Sequence, residues 1–242
     1  MPLLTLLSDF GTRDPFVAEM KAVILRLCPA ATIVDVAHEV APGDVLAGAL
    51  ALMRAAPWFP AGTVHVAVVD PGVGSARAAI ACRTVGQMFV GPDNGLLSFA
   101  AGRAPRCRRI VFDHRRAAPT FHGRDVFAPA AARLSGGQPF ADVGPVHRMR
   151  RLPRPRTPCV LRADRFGNLL LSVATSTLPR RCRAVRVDGL DAAPLVRTYS
   201  DVASGALLAV RGSGGFVEVA VRDGSAAARL RGPLRGIRVR FE

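Results

Sequence analysis

A chain of 242 residues, half of them hydrophobic, holds enough apolar surface for one large domain or two smaller ones, and excludes a disordered or fibrous protein. Its net charge of +15 and pI near 11.5 would ordinarily point to nucleic acid, through phosphate attraction and counterion release. That class is disfavoured here: the charge is nearly all arginine, with Lys21 the sole lysine, it is dispersed, and aromatics (6%) do not alternate with it as a stacking platform requires.

Apolar runs such as 3–7 and 64–69 are far shorter than the roughly 20 residues of a membrane helix, and no basic leader with a cleavage site opens the chain. No membrane partner is expected, and a cytoplasmic location is. Cys28, Cys82, Cys107, Cys159 and Cys182 are odd in number and scattered, without metal spacing, so free core thiols are expected and neither disulfides nor a metal.

In chain order, residues 3–7 read as a buried strand ending in the polar turn Ser8-Asp9-Phe10-Gly11. Asp14 and Pro15 then suit the N-cap and first position of a helix whose apolar face is Val17, Met20, Val23, Ile24 and Leu27, stopped by Pro29. A strand at 32–36 and an alanine- and leucine-rich helix at 43–55 precede a continuous apolar strand at 63–69, buried on both faces, that delivers Asp70 at its tip. Further strands are predicted at 78–83, 88–90 and 109–112, and a helix at about 126–134 with Asp125 as its N-cap.

This alternation predicts an α/β sheet with helices on its faces, and such sheets gather their sites beyond the carboxyl ends of the strands. The run 148–156, with Pro153 and Pro155 among its arginines, reads as a solvated linker. Beyond it, short segments at 159–163, 169–173, 184–187, 207–210, 216–221 and 237–241 predict a small antiparallel barrel or sandwich. The division is therefore 1–150, an N-terminal α/β domain, and 151–242, a C-terminal β domain.

Three polar clusters fall where the sheet places a crevice. Asp9 ends the first strand, where a carboxylate either accepts two hydrogen bonds from a vicinal diol or caps an Asx turn. The run from Val69 to Gly74, with Ser75 and Arg77, is either a tight turn open to close ligand approach or a surface turn with an ordinary Asp/Arg pair; it lacks a phosphate-loop ending, which disfavours a nucleotide di- or triphosphate. Phe121-His122-Gly123-Arg124-Asp125 places an imidazole, a candidate general base or structural hydrogen-bonder, before a helix. His38, His65, His114 and His147 read as structural, His65 especially because it lies inside a strand.

Taken in order, Ser8 to Gly11, Asp14-Pro15, Glu19-Met20-Lys21, Phe59-Pro60, the run from Gly62 to Val66, Val69 to Gly74, Phe89 to Gly95, Phe121 to Asp125, Asp164 to Asn168, and Gly212-Ser213 with Glu218 resemble the S-adenosylmethionine hydroxide adenosyltransferase family, related to the fluorinase and chlorinase. The resemblance spans nearly the whole chain. It implies an α/β domain followed by a small C-terminal β barrel, a homotrimer, hydrolysis of S-adenosyl-L-methionine without a cofactor, and a catalytic set that falls on Asp70, Arg77 and His122. It further implies that Asp9 holds the ribose hydroxyls, that Phe166 and Asn168 contact the nucleoside, and that Ser213 and Glu218 lie along the methionine or adenine end. Gly214 and Gly215 stand where related halogenases carry an arginine. Where those halogenases carry uncharged residues around the nucleophile, this chain has Asp70 and Arg77, which favours water over halide. A SAM-dependent halogenase, a non-catalytic SAM or adenosine binder, and a nucleic-acid binder remain the alternatives.

Overall fold

The computed structural model describes residues 1–242, which divide into two compact units, Met1–Leu152 and Pro153–Glu242. In the first, β1 (Leu3–Ser8), α1 (Phe16–Leu27), β2 (Thr32–Ala37), α2 (Val45–Ala55), β3 (Val64–Val68), β4 (Ala79–Arg83), β5 (Met88–Pro92), β6 (Arg106–Arg109), α3 (Ala128–Ser135) and β7 (Val146–His147) follow one another. The strands form one sheet in the order β2-β1-β3-β5-β4-β6-β7. β2, β1, β3 and β5 run parallel, while β4, β6 and β7 join antiparallel.

Alternation along the central strands sorts the core into two layers. Leu4, Leu6, Val64, Val66 and Val68 face α1 and α3, where Val17, Met20 and Ile24 at helical spacing meet Ala128, Ala131 and Ala132. The opposite face, with Leu7, Ala67, Val69, Ile80 and Phe89, packs on Ala49 and Leu52 of α2. Each buried Leu, Val or Phe contributes about 1.5–3 kcal/mol. Because β1 and β3 are covered on both sides, they read as nearly continuous apolar runs, interrupted only by the buried Thr5, Ser8 and His65, and the carboxylates just beyond them, Asp9 and Asp70, emerge together at the carboxyl edge.

Several details depart from expectation. The strand predicted at 109–112 lies at Arg106–Arg109: its charged residues suit an outer strand, whereas Val111 is exposed. Asp14 does not cap α1; Pro15 occupies the cap position without a side-chain hydrogen bond. Helical structure begins at Gly123, with a π-type turn over Gly123–Phe127, so Asp125 lies inside it. Cys82 and Cys107 are joined by a disulfide, since the β4–β6 register sets them directly opposite; Cys28, Cys159 and Cys182 are free. The arginine run is not wholly a solvated linker. The Arg150 N–H donates to Asp93 Oδ1 at 2.7 Å, and the Arg151 guanidinium donates to the carbonyls of Gly102 and Arg103 at 2.9 and 2.7 Å.

The second unit holds β8 (Val160–Ala163), β9 (Leu169–Ala174), β10 (Ala184–Val187), β11 (Ala192–Pro194), β12 (Leu207–Arg211), β13 (Phe216–Val221) and β14 (Val239–Phe241). They form two antiparallel sheets, β12-β13-β9-β8 and β11-β10-β14, joined by single bridges at Leu195–Ala209 and Cys159–Arg238. No helix in the chain is long and apolar enough to cross a membrane.

Candidate active site

Asp70 follows the end of β3, in a turn that brings Arg77 back beneath it. Arg77 Nε donates to Asp70 Oδ1 at 3.0 Å and Nη2 donates to Oδ2, a two-pronged ion pair whose side chains are only 8% and 4% exposed. The same Nη2 donates to His122 Nδ1 at 2.9 Å, so one guanidinium joins groups from two distant segments. An arginine N–H can only donate, so Nδ1 is the acceptor and the neutral ring carries its proton on Nε2. Burial and then the Arg77 charge push the His122 pKa below its ordinary value, against the opposing pull of Asp70.

The turn is shaped to allow this approach. Gly74 has φ +77°, and a Cβ there would sit 2.8 Å from the carbonyl oxygen of Pro119, on the segment leading to His122. Asn94 secures the other side: its Nδ2 donates to the Val69 carbonyl at 2.8 Å while its Oδ1 accepts from Leu96 N at 3.1 Å. Behind His122, Asp125 Oδ2 accepts from Ala118 N at 2.9 Å. Arg124 clasps Asp125 and donates to Glu19 Oε2 on α1 at 2.7 Å. The Arg124 hydrogen bonds hold the Asp125 carboxyl below the usual carboxylate range. Aromatic rings pack in the same segments: Phe10, Phe16 and Phe121 have centroids 5.3–5.8 Å apart, and Phe112 meets His122 edge-on at 5.3 Å.

Asp9 stands at the same edge, its N–H donating to Val68 O at 3.3 Å and its Oδ2 accepting from Gly43 N at 2.8 Å. The remaining sequence-derived site residues lie in the second unit. Asp164 folds the turn before β9, accepting from the N–H groups of Phe166 and Asn168 at 2.8 and 2.9 Å and from Asn168 Nδ2 at 3.0 Å. The turn leaves the Phe166 ring exposed. Ser213 is exposed in the β12–β13 turn. Glu218 is buried on β13, accepts from the Tyr199 hydroxyl at 3.4 Å, and lies so close to Gly212 that a side chain there would collide with its carboxylate. His65 bears out its structural reading, hydrogen-bonded to Thr5 Oγ1 at 2.7 Å and stacked on Phe89.

Sequence reasoning gave no role to Asn94, Glu19 or Arg124, although all three lie in motifs that it singled out. A polar side chain just past a strand end, as in Asp93-Asn94-Gly95, was the available signal for Asn94.

An acid and an imidazole held by one guanidinium, at the carboxyl edge of an α/β sheet and beside a second carboxylate, make a candidate site of the kind that handles a proton on a small reactant. Comparison with known proteins gives the family. The chain belongs to the SAM hydroxide adenosyltransferase family, whose N-terminal domain matches residues 4–144 and whose C-terminal domain matches 158–234. A Salinispora tropica protein named (R)-S-adenosyl-L-methionine hydrolase is 44% identical over 256 residues, covering 99% of this chain and 97% of its own. The crystal structure of an uncharacterized conserved protein from Thermotoga maritima superposes with TM-score 0.90 at 34% identity, covering 98% of this chain and 99% of that one. A fluorinase from an Actinoplanes species is more distant, 30% identical over 171 residues that cover 59% of this chain and 57% of its own.

Proposed function

We propose that this protein hydrolyses S-adenosyl-L-methionine to adenosine and L-methionine, by in-line attack of water on the ribose C5′. The observation that carries the proposal is the bridging of Asp70 and His122 by Arg77. The water oxygen forms a bond to C5′ as the C5′–S bond breaks, and the electron pair returns to sulfur, turning sulfonium into neutral thioether. That leaving group needs neither a proton nor a Lewis acid, so no cofactor is invoked. The protein's task is alignment, which supplies at most about 7–11 kcal/mol.

The hydrogen bonds distribute the roles. His122 Nδ1 is occupied by Arg77, so Nε2–H is left to orient the water oxygen, and the remaining lone pairs of Asp70 take the proton as the bond forms. Arg77 fixes both partners and balances the carboxylate charge. Asp9 holds the ribose hydroxyls, Phe166 and Asn168 contact the nucleoside, and Ser213 and Glu218 lie toward the methionine or adenine end. A halide nucleophile is disfavoured, because it has no proton for Asp70 to accept and needs neutral donors to replace its hydration shell, where this turn offers a carboxylate and a guanidinium already paired with each other. A homotrimer, and the closure of the second unit's sheets into one barrel, belong to the same reading.

Incubation with S-adenosyl-L-methionine in H₂¹⁸O, followed by chromatography and mass spectrometry, tests it. Adenosine carrying the label at its 5′-hydroxyl and unlabelled methionine are expected. Label in methionine, 5′-halo-adenosine on adding fluoride or chloride, or tight binding without products would each overturn it. Light scattering checks the trimer.

A further inference from the structure

A second histidine grips the turn that carries Asp9. His38, buried just beyond β2, places Nδ1 2.7 Å from Ser8 Oγ, while its backbone carbonyl accepts the Gly11 N–H at 2.8 Å. One residue thus fastens both ends of Ser8-Asp9-Phe10-Gly11. Its Nε2 approaches Asp35 Oδ1 at 3.1 Å without meeting hydrogen-bond geometry, and Asp35 Oδ2 accepts from Lys21 Nζ of α1 at 2.6 Å.

These contacts agree on one tautomer. With the ring proton on Nε2, facing the carboxylate, Nδ1 accepts the Ser8 hydroxyl proton, and Ser8 Oγ keeps a lone pair for the Phe10 N–H at 3.4 Å. Serine, histidine and aspartate in a row invite comparison with a hydrolytic triad. Ser8 is 1% exposed, however, so no substrate reaches it, and the chain of contacts ends on the turn instead. Asp9 within that turn has Oδ2 anchored by Gly43 N, which leaves Oδ1 to meet a ligand. A carboxylate that must meet two neighbouring hydroxyls tolerates little displacement, and nothing else that fastens the turn holds both of its ends.

We infer that His38 is a positioning residue for Asp9, fixing the Ser8–Gly11 turn so that the Asp9 carboxylate meets a vicinal diol. The inference rests on the proposed assignment of Asp9 to the ribose. His38 is buried and bonded to the turn itself, through Ser8 and Gly11, so its loss acts on binding and not on the attack step.

The test is calorimetric binding of adenosine and of 2′,3′-dideoxyadenosine to the full chain, in the native sequence and in the His38→Ala, His38→Asn and Ser8→Ala variants. Native protein prefers adenosine. His38→Ala weakens adenosine about tenfold or more, the loss of a charge-assisted contact, and changes dideoxyadenosine by less than about twofold. His38→Asn, whose amide reaches the place of Nδ1, restores most of the loss, and Ser8→Ala, which keeps the main-chain clasp, falls between. In turnover, the KM of His38→Ala rises by the same factor while kcat stays within about threefold. Equal weakening of both ligands, or a fall in kcat with KM unchanged, overturns the positioning role and makes His38 a general structural residue. Native protein that binds the two nucleosides equally overturns the assignment of Asp9 itself, a different result from either.

Discussion

The two units hold their candidate residues in opposite ways. At the carboxyl edge of the first unit's sheet, Asp70, Arg77 and His122 are bonded to one another, across 45 residues in the case of Arg77 and His122, and are nearly closed to solvent. In the turn before β9 of the second unit, Asn168 is bonded to Asp164, four residues before it in the chain, and the Phe166 ring stands 76% exposed on a backbone fixed by the same carboxylate. A mutually bonded set acts as a unit, so removing one member disables the others. A ring presented singly on a rigid turn acts alone. The first arrangement suits a chemical step, and the second suits contact with a flat ligand.

The largest expected effect probes that difference. Asp70→Asn and His122→Ala should each lower kcat by about 10²–10⁴-fold, the usual worth of a positioned acid or base, with KM changed only a few-fold. The double variant should fall little below the worse single one, because the group works together. Rapid-quench turnover measures both, and multiplicative losses would break the idea of an interlocked unit. The pH profile carries a sign. As pH falls through the lowered pKa of His122, Nδ1 takes up a proton and can no longer accept from Arg77, so activity should drop on the acid side, with its midpoint below 6.5.

His65 sharpens the contrast from within the same unit. It is buried, without a charged partner, and burial pushes its pKa down to about 4. The unfolded chain binds a proton at this group near pH 6.5 and the folded one does not. His65 therefore destabilises the fold progressively as pH drops from about 6.5 towards 4, by an amount on the order of 3 kcal/mol at the acid end. Thermal melts across that window should show the loss, and His65→Gln should flatten it while leaving neutral-pH turnover intact. Smaller again is Gly74→Ala, which places a Cβ against Pro119 at positive φ. It should cost about 1–3 kcal/mol of stability, or about 2–4 °C in Tm per kcal/mol. It should also lower kcat, because the contact joins the Asp70 turn to the His122 segment.

What could be read from sequence follows the same division between local and distant. Asp70 was legible because a strand buried on both faces is a nearly continuous apolar run, broken here only by His65, and the charged residue just past it must lie at the sheet's edge. β6 was not, since on an outer strand Arg106, Arg108 and Arg109 carry no alternation and the apolar triplet after them misleads. The Cys82–Cys107 pair depends on the β4–β6 register, across 25 residues of sequence, which no local pattern encodes. Membership of the set Asp70, Arg77 and His122 came from resemblance. That Arg77 is its hub, and that His122 Nδ1 is already occupied, are facts of side-chain geometry only.

The mildest prediction concerns the exposed ring. Phe166→Ala removes a surface on which a purine could stack, a contact of about 1–3 kcal/mol per base, without touching a hydrogen bond, since the turn is held through the Phe166 backbone N–H. KM for S-adenosyl-L-methionine should rise about tenfold with kcat nearly unchanged, and Phe166→Tyr should restore it, because the flat face is what matters. A mutational cycle with His122→Ala should be additive, unlike the cycle within the triad, because ring and imidazole share no bonded partner. Coupling between them as strong as that between Asp70 and His122 would mean that the ring takes part in aligning the attack, and the distinction between interlocked chemistry and independent contact would fail.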